Sequence, residues 1–140
     1  MLNIFNFIGY TIATKGGIKM KKEISQREKQ LGRLIRRLRK LRGLTGEELG
    51  EIVGVTKSAV SRWESGEVAN IGLENLNKLV EAIGIDGSLF VFKNKDLSAA
   101  YIKAVSNELG IDATLLSEDE IDRHIAEFLK EKKHNKKAAD

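Results

Sequence analysis

The sequence predicts an all-α chain carrying one short β-strand, on three observations. No Pro interrupts the 140 residues, and 31% of them are charged, a composition that favours helices. Six stretches repeat apolar residues at helical spacing, bounded by capping residues or Gly. One stretch, Ser88 to Lys93, breaks that pattern with four consecutive apolar residues, two of them Phe. A 41% hydrophobic fraction permits a real core, and the length gives room for one domain with appendages.

Taken in order, residues 1–24 form an N-terminal arm. Met1 to Thr14 is apolar and aromatic; it is too short to span a bilayer and lacks the basic start and cleavage site of a signal peptide. Three readings compete for it: an extra strand or helix on the core, a partner-binding arm, or residues upstream of the true start. Met20-Lys21-Lys22-Glu23 looks like a natural translation start, which favours the last or a disordered arm.

Residues 25–86 read as one helical unit. Ser25 and Glu28 make a capping box that opens a helix to about Arg42. In its apolar set of Leu31, Leu34, Ile35, Leu38 and Leu41, Leu34 and Leu41 lie seven residues apart on a surplus, neighbouring stripe. That stripe is expected to be covered by the N-terminal arm or the C-terminal helices. Thr45 and Glu48 make the next capping box, and Leu49, Ile52 and Val53 give its helix an apolar face. Gly54-Val55 forms a tight turn, Gly tolerating the positive φ of a sharp helix exit. Thr56 caps a third helix, with Val60 and Trp63 inward and Lys57, Ser58, Ser61 and Arg62 outward. Gly66 ends it. A fourth helix starts at Asn70 or Gly72 and runs to about Ile83, with Leu73, Leu76, Leu79, Val80 and Ile83 inward and Gly84 as its stop.

The landmarks LRKLRGLTGEEL, GVTKSAVSRWESG and LENLNKLVEAIGI resemble, in combination, the helix-turn-helix of the Xre family, the lambda-repressor-like DNA-binding domains, over roughly Leu31 to Ile85. The resemblance implies a third helix that lies in the major groove of double-stranded DNA. Carried onto this chain, the DNA-contacting positions are Thr45, Gly46, Thr56, Lys57, Ser58, Ser61, Arg62, Gly66 and Asn70, with Asn75 equally readable as a solvated helix residue. Lys57, Ser58 and Arg62 suit base edges, and Thr56 and Ser61 suit phosphates. The resemblance also implies a structural pair between Arg39 and Glu64 at the junction of the first and third helices. Gly46 departs from the family, where Gln is frequent. It keeps a helix N-terminal N–H for phosphate but no side chain, so no detailed recognition code is carried over. Gly50 stands where Ala is usual, preserving a close helix approach.

Residues 87–95 read as the strand and its linker. A lone strand must find a partner. The expected partner is the same strand of a second copy, antiparallel about a two-fold axis, as in the antitoxin-type members the arrangement resembles. Pairing with Asn3–Ile12 is the intrachain alternative. Residues 96–140 read as a C-terminal helical region for dimerisation or partner binding. One helix runs from Asp96 or Ser98 to Leu109. A second starts at Ser117, capped with Glu120, and runs to about Lys133 with Ile121, Ile125, Phe128 and Leu129 on one side. Lys132 to Asp140 reads as a frayed polar end.

Charge supports a nucleic-acid partner. Residues 1–20 carry two Lys and no acid (+2), residues 21–95 carry 15 basic and 10 acidic side chains (+5), and residues 96–140 carry 7 basic and 10 acidic ones (−3). Positive charge sits with the helix-turn-helix, as phosphate neutralisation requires, and the acidic tail is expected to stay off DNA. With no Cys there are no disulfides and no thiolate metal sites, which suits a cytoplasmic protein. The two His, His124 and His134, lack metal-ligand spacing, and no nucleophile–base pair or Gly-rich phosphate loop is present. The expectation is therefore no catalytic residue, no metal, no cofactor and no membrane. The chain is expected to be a dimeric repressor reading a two-fold operator. The alternative is an antitoxin that binds its own promoter and neutralises a partner toxin.

Overall fold

Side-chain caps start five of the helices, all at positions the sequence marks. The structure is a computed structural model and describes residues 10–12 and 20–139. Helix α1 (Gln26–Leu41) opens on the Ser25–Glu28 capping box, the Ser25 hydroxyl accepting from the Glu28 N–H at 3.1 Å. Thr45 and Glu48 make the same reciprocal pair for α2 (Gly46–Val53). Thr56 caps α3 (Lys57–Glu64) by accepting from the Ala59 N–H at 3.1 Å. Helix α4 (Leu73–Ile83) follows Gly72 with no side-chain cap, and α5 is the short helix Ser88–Val91. Asp96 caps α6 (Leu97–Leu109). After a 3-10 turn at Ala113–Leu115, Ser117 and Glu120 box the start of α7 (Glu118–Ala139).

Ahead of α1, β1 (Tyr10–Ile12) pairs antiparallel with β2 (Met20–Lys22), Thr11 opposite Lys21. Residues 1–9 and 13–19, on which most of the N-terminal expectations fall, lie outside the described residues.

One continuous hydrophobic core links the helices. Ile35, Leu38, Leu41, Leu49, Val53, Val60, Leu79 and Ile83 are its buried centre, joined without a break by Tyr101, Val105, Ile121 and Ile125. The surplus stripe on α1 is covered from the C-terminal side: Leu34 and Leu41 are buried, and α6 packs against α1. Arg37 fixes that contact, its guanidinium 3.9 Å above the Tyr101 ring and 3.0 Å from Glu118. Burial pushes the Tyr101 hydroxyl pKa up, with the nearby Arg37 charge opposing. Arg42 adds a second tie, reaching Glu108 on α6 at 2.5 Å and the Ile83 carbonyl that ends α4 at 3.3 Å.

Three expectations are corrected. The strand over residues 88–93 is helix α5 and an extended exit. The Asp86 carboxylate accepts from the Ser88 N–H. Arg27 of α1 donates to the carbonyls of Leu89 (3.1 Å), Phe92 (3.0 Å) and Lys95 (2.7 Å). A strand would leave two open edges; the turn and one guanidinium satisfy these groups within the chain. The strand-to-strand pairing of two copies loses its basis, and with it the likeness that favoured an antitoxin. Second, Ile52 and Leu73 keep the helical period but are 53% and 74% exposed, because α2 and α4 bury narrower stripes than the pattern suggests. Third, α7 continues to Ala139 instead of fraying from Lys132.

Candidate nucleic-acid interface

Helix α3 is held by its inner face and shows its outer one. Val60 and Trp63 are buried, while Lys57, Ser58, Ser61 and Arg62 are exposed. The turn before it depends on Gly54, whose φ of 88° is the left-handed exit from α2. The N–H groups of Gly54 and Val55 both donate to Gly50 O at 2.8 Å, which closes α2 and sets the angle of α3. A Cβ on Gly50 would stand 2.7 Å from Val55 O. The position therefore needs Gly, and Ala would not preserve the approach.

The far end of α3 is locked to α1. Arg39 Nε and Nη2 donate to both oxygens of Glu64 at 2.6 and 3.1 Å, and Nη1 donates to Leu44 O at 2.8 Å. The two side chains are only 13% and 10% exposed. This fork joins α1, the turn before α2, and the end of α3, so the pair the family pattern implies is present.

The remaining expected residues divide. Thr45 spends its hydroxyl on the Glu48 N–H, leaving the N–H groups of Gly46 and Glu47 as the open amides of the first turn of α2. Gly46 leaves room for the stem of Lys57, whose Cγ lies 3.8 Å from where a Cβ would be. Thr56 and Asn70 are exposed. Gly66 is different. It is buried at φ 114°, its N–H bonds Trp63 O at 3.0 Å, and a Cβ would meet Ile24 at 2.8 Å. Gly66 thus packs against Ile24 and Lys29, with its N–H already bonded within the chain.

Electrostatics favour an anionic partner along one side. Arg62 comes only to 4.0 Å from Glu67, both half-exposed, a surface pair of little strength. Among the described residues Arg33, Arg36, Lys40 and Lys57 form no ion pair, and they line a groove of about 1230 Å³ between the helix-turn-helix and α7. Glu48 is exposed in the first turn of α2. Hydrogen bonds from the Thr45 N–H and hydroxyl hold its carboxyl below the usual range. Its capping contribution is thus present at neutral pH and is lost only as acid titrates the carboxylate below that range. The sequence reading missed the roles of Arg27, Arg37 and Arg42, since each acts across more than 40 residues of chain and leaves no local signal.

Among the described residues no cluster of His, Asp or Glu could hold a metal ion, and no helix is long and apolar enough to cross a membrane. Residues 35–90, from the middle of α1 into α5, match a family model described as helix-turn-helix. A search of curated proteins gives no significant match.

Proposed function

We propose, from the match of residues 35–90 to a helix-turn-helix family model and the resemblance of that stretch to the Xre (lambda-repressor-like) domains, that the protein is a repressor reading a specific duplex sequence in the major groove. The observation that carries this is the outer face of α3. Two cations and two hydroxyls stand in a row on a helix capped by Thr56 and held from behind by Val60 and Trp63. A helix so narrow and cationic fits the groove, and its first residues meet base edges. Lys57, Ser58 and Arg62 take the base-edge role; Ser61, Thr56 and Asn70 take phosphates. The open N–H groups of Gly46 and Glu47 bind a further phosphate at the helix N-terminus, beside the Thr45 cap.

Selection of bound duplexes from a random pool tests the reading. Arg62→Ala is expected to cost about 1–3 kcal/mol and relax preference at one base pair. Equal weakening on every sequence would make Arg62 a phosphate contact. A selected pool with no motif would overturn the function.

One short helix reads few base pairs, so useful selectivity calls for two copies on a two-fold site. The surface we assign to that contact is Val91 and Phe92, 66% and 55% exposed side by side at the end of α5. The C-terminal helices are less suited, because their apolar faces are already buried, α6 against α1 and α7 against α6 in the shared core. Phe92→Asp is expected to leave a monomer in sedimentation and to abolish cooperative filling of paired half-sites. A wild-type chain that sediments as a monomer on a single half-site would remove this assignment.

A further inference from the structure

The net charge of −3 over residues 96–140 hides a division within α7. Its first half carries Glu118, Asp119, Glu120, Asp122 and Glu127 against one Arg. Its second half carries Lys130, Lys132, Lys133, Lys136 and Lys137 against Glu131. Acid at a helix N-terminus and base at its C-terminus suit the helix dipole, but that effect reaches only the terminal turns. It does not explain Lys130 to Lys133, nor the arrangement around the helix. At 3.6 residues per turn all five lysines fall within an arc of about 160°, with Glu127 and Glu131 on the other side.

That arc prolongs the face of α7 turned towards the helix-turn-helix. Asp122, Ile125, Ala126 and Leu129 occupy the same face one to three turns earlier, and they line the groove shared with Thr45, Gly46 and Lys57. Leu129 Cδ2 lies 3.2 Å from the Cβ position of Gly43, in the turn just before α2. From there α7 continues to Ala139, which at 1.5 Å per residue is about 15 Å of helix. The lysine-bearing part therefore projects beyond the body on the side where α2 presents its open N–H groups. The Glu48 carboxyl, lowered first by its Thr45 hydrogen bonds, is lowered further by the charge of Lys133, so that ammonium stands within electrostatic reach of the first turn of α2. Residues 131–137 are all exposed.

We propose that the second half of α7 is an accessory DNA-binding arm, whose lysines contact the phosphate backbone flanking the base pairs read by α3. The inference rests on the reading of α3 above. The arm adds affinity without base information, and its cations offset Glu47 and Glu48, which otherwise present negative charge beside a phosphate. The tail is thus assigned to DNA, contrary to the expectation from its net charge.

The test is the salt dependence of binding by the full chain, with Lys130, Lys132, Lys133, Lys136 and Lys137 all changed to Gln and, separately, all to Arg. Each phosphate neutralised contributes about 0.9 to the slope of log K against log salt. With two or three contacts, the Gln variant is expected to flatten the slope by about 2 and bind at least about tenfold more weakly at low salt. It should select the same base-pair motif as wild type and lose backbone protection only outside it; the Arg variant should keep the wild-type slope. A Gln variant with the wild-type slope, or one that binds more tightly because the helix obstructs DNA, overturns the arm and leaves the reading of α3 standing. A wild-type chain that prefers no duplex at low salt overturns both.

Discussion

Glu64→Ala is expected to remove about 3–5 kcal/mol of folding stability, read as a lower urea midpoint at unchanged slope. The magnitude follows from what is left behind. Glu64 accepts two Arg39 N–H bonds at 2.6 and 3.1 Å where both side chains are nearly enclosed. Without it the guanidinium stays in a poorly solvated site with only Leu44 O as partner. Exposed pairs cost little to break because water replaces the lost partner, whereas here water has little access. Arg39→Ala should cost more than Glu64→Ala, since it also strips Leu44 O of its donor. The double variant should lose less than the two single losses added together, because the second removal takes away a charge already stranded. Arg39→Lys should recover little, as an ammonium cannot span both oxygens. A loss below about 1 kcal/mol in Glu64→Ala would place the pair among ordinary surface contacts. A small domain holds only about 5–15 kcal/mol in total, so this one fork decides whether α3 keeps its angle to α1.

How much of this could be read from the chain depends on how far each cause reaches. Caps are local: Ser25 with Glu28, Thr45 with Glu48, and Ser117 with Glu120 sit three residues apart, and each begins a helix. The periodic faces of α1 and α3 are local too. Even the surplus stripe of Leu34 and Leu41 was informative, since an uncovered apolar stripe asks for a neighbour. Residues 88–93 were misread because a short apolar run fits strand and helix equally. The deciding group, Arg27, lies 62 residues before Leu89. The outward positions of the interface were legible from the helical period. Gly66 was not, because its burial depends on Ile24 and Lys29 packing over it. The length of α7 was hidden by polarity: a lysine-rich end reads as a frayed tail unless its charges are sorted by face.

Gly32 carries the second large effect, and nothing in the sequence marks it. A glycine inside a helix ordinarily weakens it, and Ala there would gain about 1 kcal/mol of propensity. Here α1 crosses the end of α3 so closely that a Cβ at residue 32 would stand 2.6 Å from Trp63 O, 2.7 Å from Glu64 O and 2.7 Å from Gly66 N. All three are backbone atoms, so no side chain can swing aside. Either α1 or the end of α3 must move, carrying with it the Arg39–Glu64 fork and the bond from Gly66 N–H to Trp63 O. Overpacking commonly costs about 1–3 kcal/mol; with three rigid obstacles, Gly32→Ala is expected at or above the top of that range after the propensity gain is counted. Gly72→Ala is the matched comparison. A Cβ there meets nothing within 4 Å, and its effect should stay within about 1 kcal/mol, the modest preference of an N-cap for Gly over Ala. Because either movement changes how α3, which carries Lys57 and Arg62, sits on α1, Gly32→Ala should also weaken binding to the selected duplex at temperatures where the variant is still folded. Equal melting temperatures for the two alanine variants would show that the crossing is looser than these distances require, and that α3 is aimed by its cap, its turn and the Arg39–Glu64 fork without it.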